Sequence, residues 1–260
     1  MGLTRRAVLT VAARNAAIRD RIEALKAEHP FGGYRRVWAD LRFTTGLVVN
    51  RKRILRLMRK HNWLVPANPR LRAKRTPTRS KPTLHRPNQW WGIDMTKVWV
   101  EPAGWLYLVL VLDWYTKKIV GWQAGTRSTA QDWLHAVEMG LQQQFPDGVK
   151  EQGLGLMSDN GCQPTGKTFA QTCTTLGITQ AFTSYNNPKG NADTERLLRT
   201  FKEELVWLRE WPSHQHLKHA LADGVTHYNA GSHHSALGYK TPGQFEEDYQ
   251  RSHLTQFVAA

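Results

Sequence analysis

Trp90-Trp91-Gly92-Ile93-Asp94-Met95-Thr96-Lys97-Val98-Trp99-Val100, the turn Glu101-Pro102-Ala103-Gly104, and Trp105-Leu106-Tyr107-Leu108-Val109-Leu110-Val111-Leu112-Asp113 form the stretch that decides the fold. Two runs rich in β-branched and aromatic residues flank a short Pro/Gly turn, which is a hairpin pattern. A third such run, Lys117 to Ala124, follows closely, so residues 90–124 read as three meandering antiparallel strands. The pattern then changes period. A helix at about 129–144 leads to a strand at 154–158, and a helix at about 166–176 leads to a strand at 178–182. Helices follow at 193–209 and 214–229. A meander followed by alternating helix and strand predicts an α/β fold, a mixed five-stranded sheet flanked by helices.

Upstream the chain is different. Residues 6–28 favour helix, and Pro30 with Gly32-Gly33 stops it. A second helix is expected from Tyr34 to about Phe43, ended by Thr44-Thr45-Gly46. Asn50 is a candidate N-cap for a third, with Ile54, Leu57 and Met58 as its apolar stripe. Arg51, Lys52, Arg53 and Arg56 cover much of the remaining surface of that helix, which suits DNA binding by a helix-turn-helix; the plainer alternative is a helical hairpin with a solvated basic face. Residues 64–88, with five prolines and seven Lys or Arg, read as a basic linker. Three parts are therefore expected: a small all-α region at 1–63, the linker at 64–88, and an α/β region with a C-terminal helical extension at 89–250.

Charge follows the same division. Residues 1–88 hold 22 Lys+Arg against 4 Asp+Glu, a net +18, whereas residues 89–260 carry −3. A basic module on a faintly acidic one points to a polyanionic partner. Cys162 and Cys173 have no paired spacing of the zinc-site kind, and two free thiols fit a reducing cytoplasm. The N-terminus has no apolar signal-peptide core, and the longest apolar run, Trp105 to Leu112, is far too short to span a bilayer. Surface positions are expected for the eleven histidines, including His216, His219 and the pair His233-His234.

Three acids stand out within the α/β region. Asp94 lies in mid-strand, where a carboxylate is costly unless paired or metal-bound. Asp159 ends the fourth strand and precedes Asn160-Gly161, at the strand end where α/β folds bind ligands. Glu195 opens a helix, with 35 residues between it and Asp159. At about 100° per residue, Glu195, Arg199 and Lys202 share one narrow polar face, and Asp193 lies about 200° from Glu195. Leu198, Phe201, Leu205 and Leu208 would then form the core-facing stripe. Three carboxylates from two strands and a helix can hold a pair of divalent cations for an in-line phosphodiester displacement. The bland alternative for the Glu195 face is a solvent-exposed ladder of ion pairs. Asp113, at the end of the second strand, is the rival acid.

The order Gly33-Tyr34-Arg35-Arg36-Val37-Trp38, Asn50 to Met58, Ser158-Asp159-Asn160-Gly161, Glu195 with Lys202, and His234-Ser235-Ala236-Leu237-Gly238-Tyr239-Lys240-Thr241-Pro242 resembles the second-frame (OrfB-type) transposases of two-frame bacterial insertion sequences. These belong to the DDE transposase and retroviral-integrase superfamily. Two departures are visible: Gly190-Asn191-Ala192 stands where Asp-Asn-Ala is common, and Ser232-His233-His234 replaces the usual Arg-Pro-His. The resemblance implies an RNase H-like core, Asp94, Asp159 and Glu195 as catalytic metal ligands, and a structural role for Asp113. Two Mg²⁺ ions, replaceable by Mn²⁺, are the expected cofactor. It implies cleavage and joining of DNA strands at element ends and target DNA, with Lys202 and Arg199 facing phosphates. It implies as well homo-oligomers on DNA, fusion or partnership with an upstream-frame product, and a cytoplasmic, nucleoid-associated location. The alternatives are a plain RNase H-like nuclease and a DNA-binding regulator with an inactive catalytic domain. The loop from Thr183 to Asn191 reads equally as a strand-binding loop or a plain connector.

Overall fold

The computed structural model describes residues 11–65, 83–183 and 188–258. The start of the first predicted helix, linker residues 66–82 and loop residues 184–187 lie outside them. The chain divides into two compact units: Met1–Lys74 with His233–Tyr239, and Arg75–Ser232 with Lys240–Ala260.

The first unit is helical. Its elements are α1 (Val11–Glu28), α2 (Tyr34–Ala39) and α3 (Arg51–Lys60). Ile18 and Ile22 from α1, Val37 from α2, Leu41, and Ile54, Leu57 and Met58 from α3 form its core. Asn50 caps α3, its side chain accepting from the Lys52 N–H at 2.8 Å. The helix expected to run to Phe43 is α-helical only to Ala39; Asp40–Thr44 form a widened π-type turn. That widening lets the Leu41 carbonyl accept both the Thr45 hydroxyl at 2.6 Å and the Leu47 N–H at 2.8 Å.

The second unit holds a five-stranded sheet: β1 (Trp90–Val100), β2 (Gly104–Asp113), β3 (Ile119–Gly125), β4 (Gly155–Ser158) and β5 (Thr179–Phe182). Strand order is β3-β2-β1-β4-β5. The first three strands pair antiparallel, and β4 pairs parallel to both β1 and β5. This is the RNase H-like mixed sheet. β3 begins at Ile119 rather than Lys117 because Asp113 to Lys118 close a turn, with Lys117 at φ 60°.

Helices cover both faces, which explains why Leu106 to Leu112 is apolar almost throughout rather than alternating. On one face Leu106, Leu108, Leu110 and Leu112 meet α6 (Ala192–Glu204) and α7 (His214–Gly231). On the other, Ile93, Val109 and Val111 meet α4 (Ala130–Gln144) and α5 (Lys167–Thr175). Thr129 caps α4 in a reciprocal box with Asp132. A last helix, α8, runs from Pro242 to Val258.

The helix expected over 193–209 ends at Glu204 and gives way to a short 3-10 turn, Val206–Leu208. Val206 is buried there and its carbonyl accepts the Trp211 indole N–H at 3.0 Å, so Leu208 is turned outward and does not continue the stripe.

Candidate active site

Asp94 sits within β1, opposite Leu110 of β2. Side chains alternate along a strand. Ile93 therefore enters the core under α4 and α5, while Asp94 shares the face of Val98 and Val100, the face that α6 covers. The β1–β4 ladder ends at Gly92–Met157. Asp94 and Asp159 each lie two residues beyond that pair, Asp94 within β1 and Asp159 just past the end of the parallel neighbour β4.

Two local bonds set the β4 exit. An Asp159 carboxylate oxygen accepts the Gly161 N–H at 3.0 Å, an Asx turn that bends the chain out of the sheet. The Asn160 side chain donates to the Thr183 carbonyl at 2.6 Å, tying the ends of β4 and β5 together.

Glu195 arrives from α6. Thr194, Leu197, Leu198 and Phe201 are the buried residues of that helix, and Glu195 and Arg199 are exposed. Asp193 points elsewhere and pairs with Lys117 at 2.9 Å. Close approach of α6 to β1 depends on Gly92: a Cβ there would stand 2.1 Å from the Thr194 hydroxyl, 2.4 Å from the Trp114 indole nitrogen and 2.7 Å from the Asn191 amide oxygen. The Asn191 side-chain nitrogen donates to the Ile93 carbonyl at 3.0 Å in the buried interior. The Trp114 indole donates to the Thr194 hydroxyl at 3.4 Å. These contacts press the first turn of α6 onto β1 beside Asp94.

The electrostatics record the convergence. Burial, above all, pushes the Asp94 carboxyl up to about 6. The Met95 N–H, bound at 2.8 Å, opposes that rise. Negative charge at Asp159 and Glu195 adds to it, and Lys202 counters. Two acids and one lysine, from the β4 exit and from α6, therefore act on the Asp94 carboxyl. Among the described residues, no group of three or more His, Cys, Asp and Glu is placed so that it could hold a metal ion as it stands. Chemically, the carboxylates of Asp94, Asp159 and Glu195 are oxygen donors of the kind a hard divalent cation takes, and positive charge would relieve the repulsion that adds to the rise at Asp94.

Asp113 is fully buried and accepts from the Asn88 N–H at 3.2 Å, the Tyr115 N–H at 3.0 Å and the Thr116 hydroxyl at 2.9 Å. It braces the β2–β3 turn. On α3, Lys52 and Arg56 are exposed, whereas Arg53 is half-buried and donates to the Asn15 side chain at 2.9 Å. Arg51 is exposed but engaged by Tyr239 at 3.1 Å. His216 and His219 are exposed on α7. His233 is not a surface residue: its side chain is 4% accessible and lies 3.0 Å from Asp40. Burial pushes the Cys173 thiol up to about 12. Sequence reading missed Gly92, Asn191 and Trp114; of these, only a glycine inside an apolar strand carried a local signal.

Known proteins match along most of the chain. Residues 13–70 match the family described as HTH-like domain, and residues 84–188 and 176–242 match two families described as Integrase core domain. The chain is 26% identical over 230 residues to Transposase InsD for insertion element IS2A/D/F/H/I/K of Escherichia coli, covering 86% of this chain and 76% of that protein. Among solved structures, the catalytic core domain of BIV integrase is 22% identical, with TM-score 0.45, over 65% of this chain and 99% of that one. The HTLV-2 integrase catalytic core domain in complex with magnesium is 17% identical, with TM-score 0.48, over 62% of this chain and 97% of that one. The chain belongs to the integrase core family, among the insertion-element transposases that carry an HTH-like domain ahead of that core.

Proposed function

We propose that this DNA transposase cuts and joins DNA strands at Asp94, Asp159 and Glu195, with Lys202 and Arg199 holding the DNA phosphates beside them. The observation that carries the reading is the clamp that brings the first turn of α6, with Glu195, onto β1 beside the half-buried Asp94, whose carboxyl feels the charge of Asp159, Glu195 and Lys202.

The three carboxylates would hold Mg²⁺, which when bound supplies Lewis acidity that activates an attacking hydroxyl and offsets charge on the pentacovalent phosphorus. The residues themselves do the positioning. Asp94 is fixed within a central strand, Asp159 is aimed by its Asx turn, and Glu195 is delivered by the clamp on α6. Lys202, two turns after Glu195, places an ammonium where the scissile strand enters. Water attack would free a 3′-OH at the element end, and that hydroxyl would attack a second phosphodiester. No covalent protein intermediate is needed.

Lys52 and Arg56 on α3 would contact duplex DNA. Oligomers on DNA, fusion with an upstream-frame product and work at the nucleoid belong to the same reading. No helix among the described residues is long and apolar enough to cross a membrane.

The test is a strand-transfer assay: purified chain, a duplex carrying the element end, a plasmid target, and Mg²⁺ or Mn²⁺. Joined product supports the reading. Nicking without joining would favour the RNase H-like nuclease, and DNA binding with neither would favour a regulator.

A further inference from the structure

The segment His233–Tyr239 belongs to the helical unit although it lies far downstream of it in sequence. Tyr239 is the centre of its packing. Its ring meets Trp38 of α2 edge-on, with centroids 5.0 Å apart, and stacks at 6.5 Å on Phe43. His233 stacks on the same Phe43 at 5.6 Å and pairs with Asp40 at 3.0 Å. The backbone is bent to make this possible. Gly238 and Tyr239 take φ of 66° and 69°, a conformation unfavourable for an aromatic residue unless its surroundings enforce it. The Tyr239 N–H donates to the His234 carbonyl at 2.8 Å, which closes the turn.

This turn aims the Tyr239 hydroxyl at α3. Arg51, the first residue of α3, donates from a terminal guanidinium nitrogen to that hydroxyl at 3.1 Å, across 188 positions of sequence. Its guanidinium carbon also stands 5.2 Å over the Trp38 ring. Trp38 is itself fixed, its indole N–H donating to the Val49 carbonyl at 2.8 Å. A guanidinium has five N–H donors. One bond to Tyr239 orients the plane and leaves the others for a phosphate or a base edge.

We propose that Tyr239 is a positioning residue for DNA binding, holding the Arg51 guanidinium in a fixed orientation at the start of α3. This rests on α3 as the DNA-binding helix and adds that its first side chain is set by a residue from the far end of the chain. Ordering the guanidinium before DNA arrives removes a cost that would otherwise fall on binding.

The test is a double-mutant cycle on the full chain, titrating a fluorescent random-sequence duplex. Tyr239→Phe keeps the ring and removes only the hydroxyl. It should weaken DNA affinity by about threefold to tenfold, the range of one hydrogen bond. Arg51→Ala should weaken it at least as much, and adding Tyr239→Phe to Arg51→Ala should change nothing further. If Tyr239→Phe binds as wild type while Arg51→Ala is weak, the positioning role is overturned and α3 still binds DNA. If Arg51→Ala binds as wild type, Arg51 does not contact DNA and the proposal falls with that reading. If Tyr239→Phe weakens binding equally in both backgrounds, Tyr239 acts through folding, and the proposal is again overturned.

Discussion

The Asn191 side chain donates to the Ile93 carbonyl at 3.0 Å, joining the residue before Asp94 to a point four residues before Glu195. Gly92 leaves room for this contact, and Thr194 and Trp114 complete it. The distance between two of the three acids is thus set by a buried side-chain bond to the backbone rather than by a loop. Asn191→Ala would strand the Ile93 carbonyl and should cost roughly 1–3 kcal/mol of stability. Its effect on strand transfer should exceed its effect on DNA binding. Urea denaturation, strand transfer and DNA titration on one preparation check this; equal losses in joining and in binding would remove Asn191 from the clamp.

Asp113 should behave as a structural acid. Asp113→Asn is expected to retain strand transfer and to unfold more easily, because a carboxylate accepting from three donors becomes an amide with one acceptor oxygen. Its pH dependence has a definite sign. Burial raises the Asp113 carboxyl above the ordinary 3.8. The folded state therefore holds the proton more tightly than the unfolded state, and the stability Asp113 contributes declines as pH rises from 3.8 to the folded value. The penalty of Asp113→Asn should be larger in acid than at neutral pH, as read from urea midpoints at both. A larger penalty at neutral pH would contradict the shift.

Lys202→Ala should reduce joining by about 1–3 kcal/mol in barrier, the size of a charge-assisted hydrogen bond. Lys202→Arg should recover only part of it, since the guanidinium is planar and wider. A lysine serving only a surface ion-pair ladder would behave otherwise: melting would shift by a few tenths of a kcal/mol and joining would be normal. Melting and strand transfer on the same protein separate the two.

The basic residues of α3 should divide into two kinds. Lys52→Ala and Arg56→Ala should each weaken DNA binding by roughly 1 kcal/mol or more and lower the salt slope by about 1. Arg53→Ala should mainly lower melting temperature, because Arg53 is half-buried and bonded to Asn15 of α1. An Arg53→Ala protein with wild-type stability and a reduced salt slope would reverse that assignment.

Local features were legible in the sequence. The β1–β2 hairpin followed from two apolar runs and one turn, and the Asn50 cap from its position before a basic, apolar-striped segment. Asp193 could be set apart from Glu195 by helix geometry alone, and it pairs with Lys117. Relations between distant segments were not legible. Nothing local marks the Asn191 amide as a partner of Ile93, or Arg51 as a partner of Tyr239. The end of α6 at Glu204 was missed because Leu205 and Leu208 continue the apolar period, while burial of Val206 and its bond to Trp211 override it. His233 read as a surface residue because its partners Asp40 and Phe43 lie far away in sequence.

The most direct test of the three-acid site is Mg²⁺-dependent strand transfer by Glu195→Gln, measured beside its DNA affinity. Glu195 is exposed, so removing its charge leaves the core of α6 intact. Joining should fall to background while duplex binding and melting temperature stay at wild-type values. Asp94→Asn and Asp159→Asn should give the same result. Substantial joining by Glu195→Gln in Mg²⁺ would contradict the assignment.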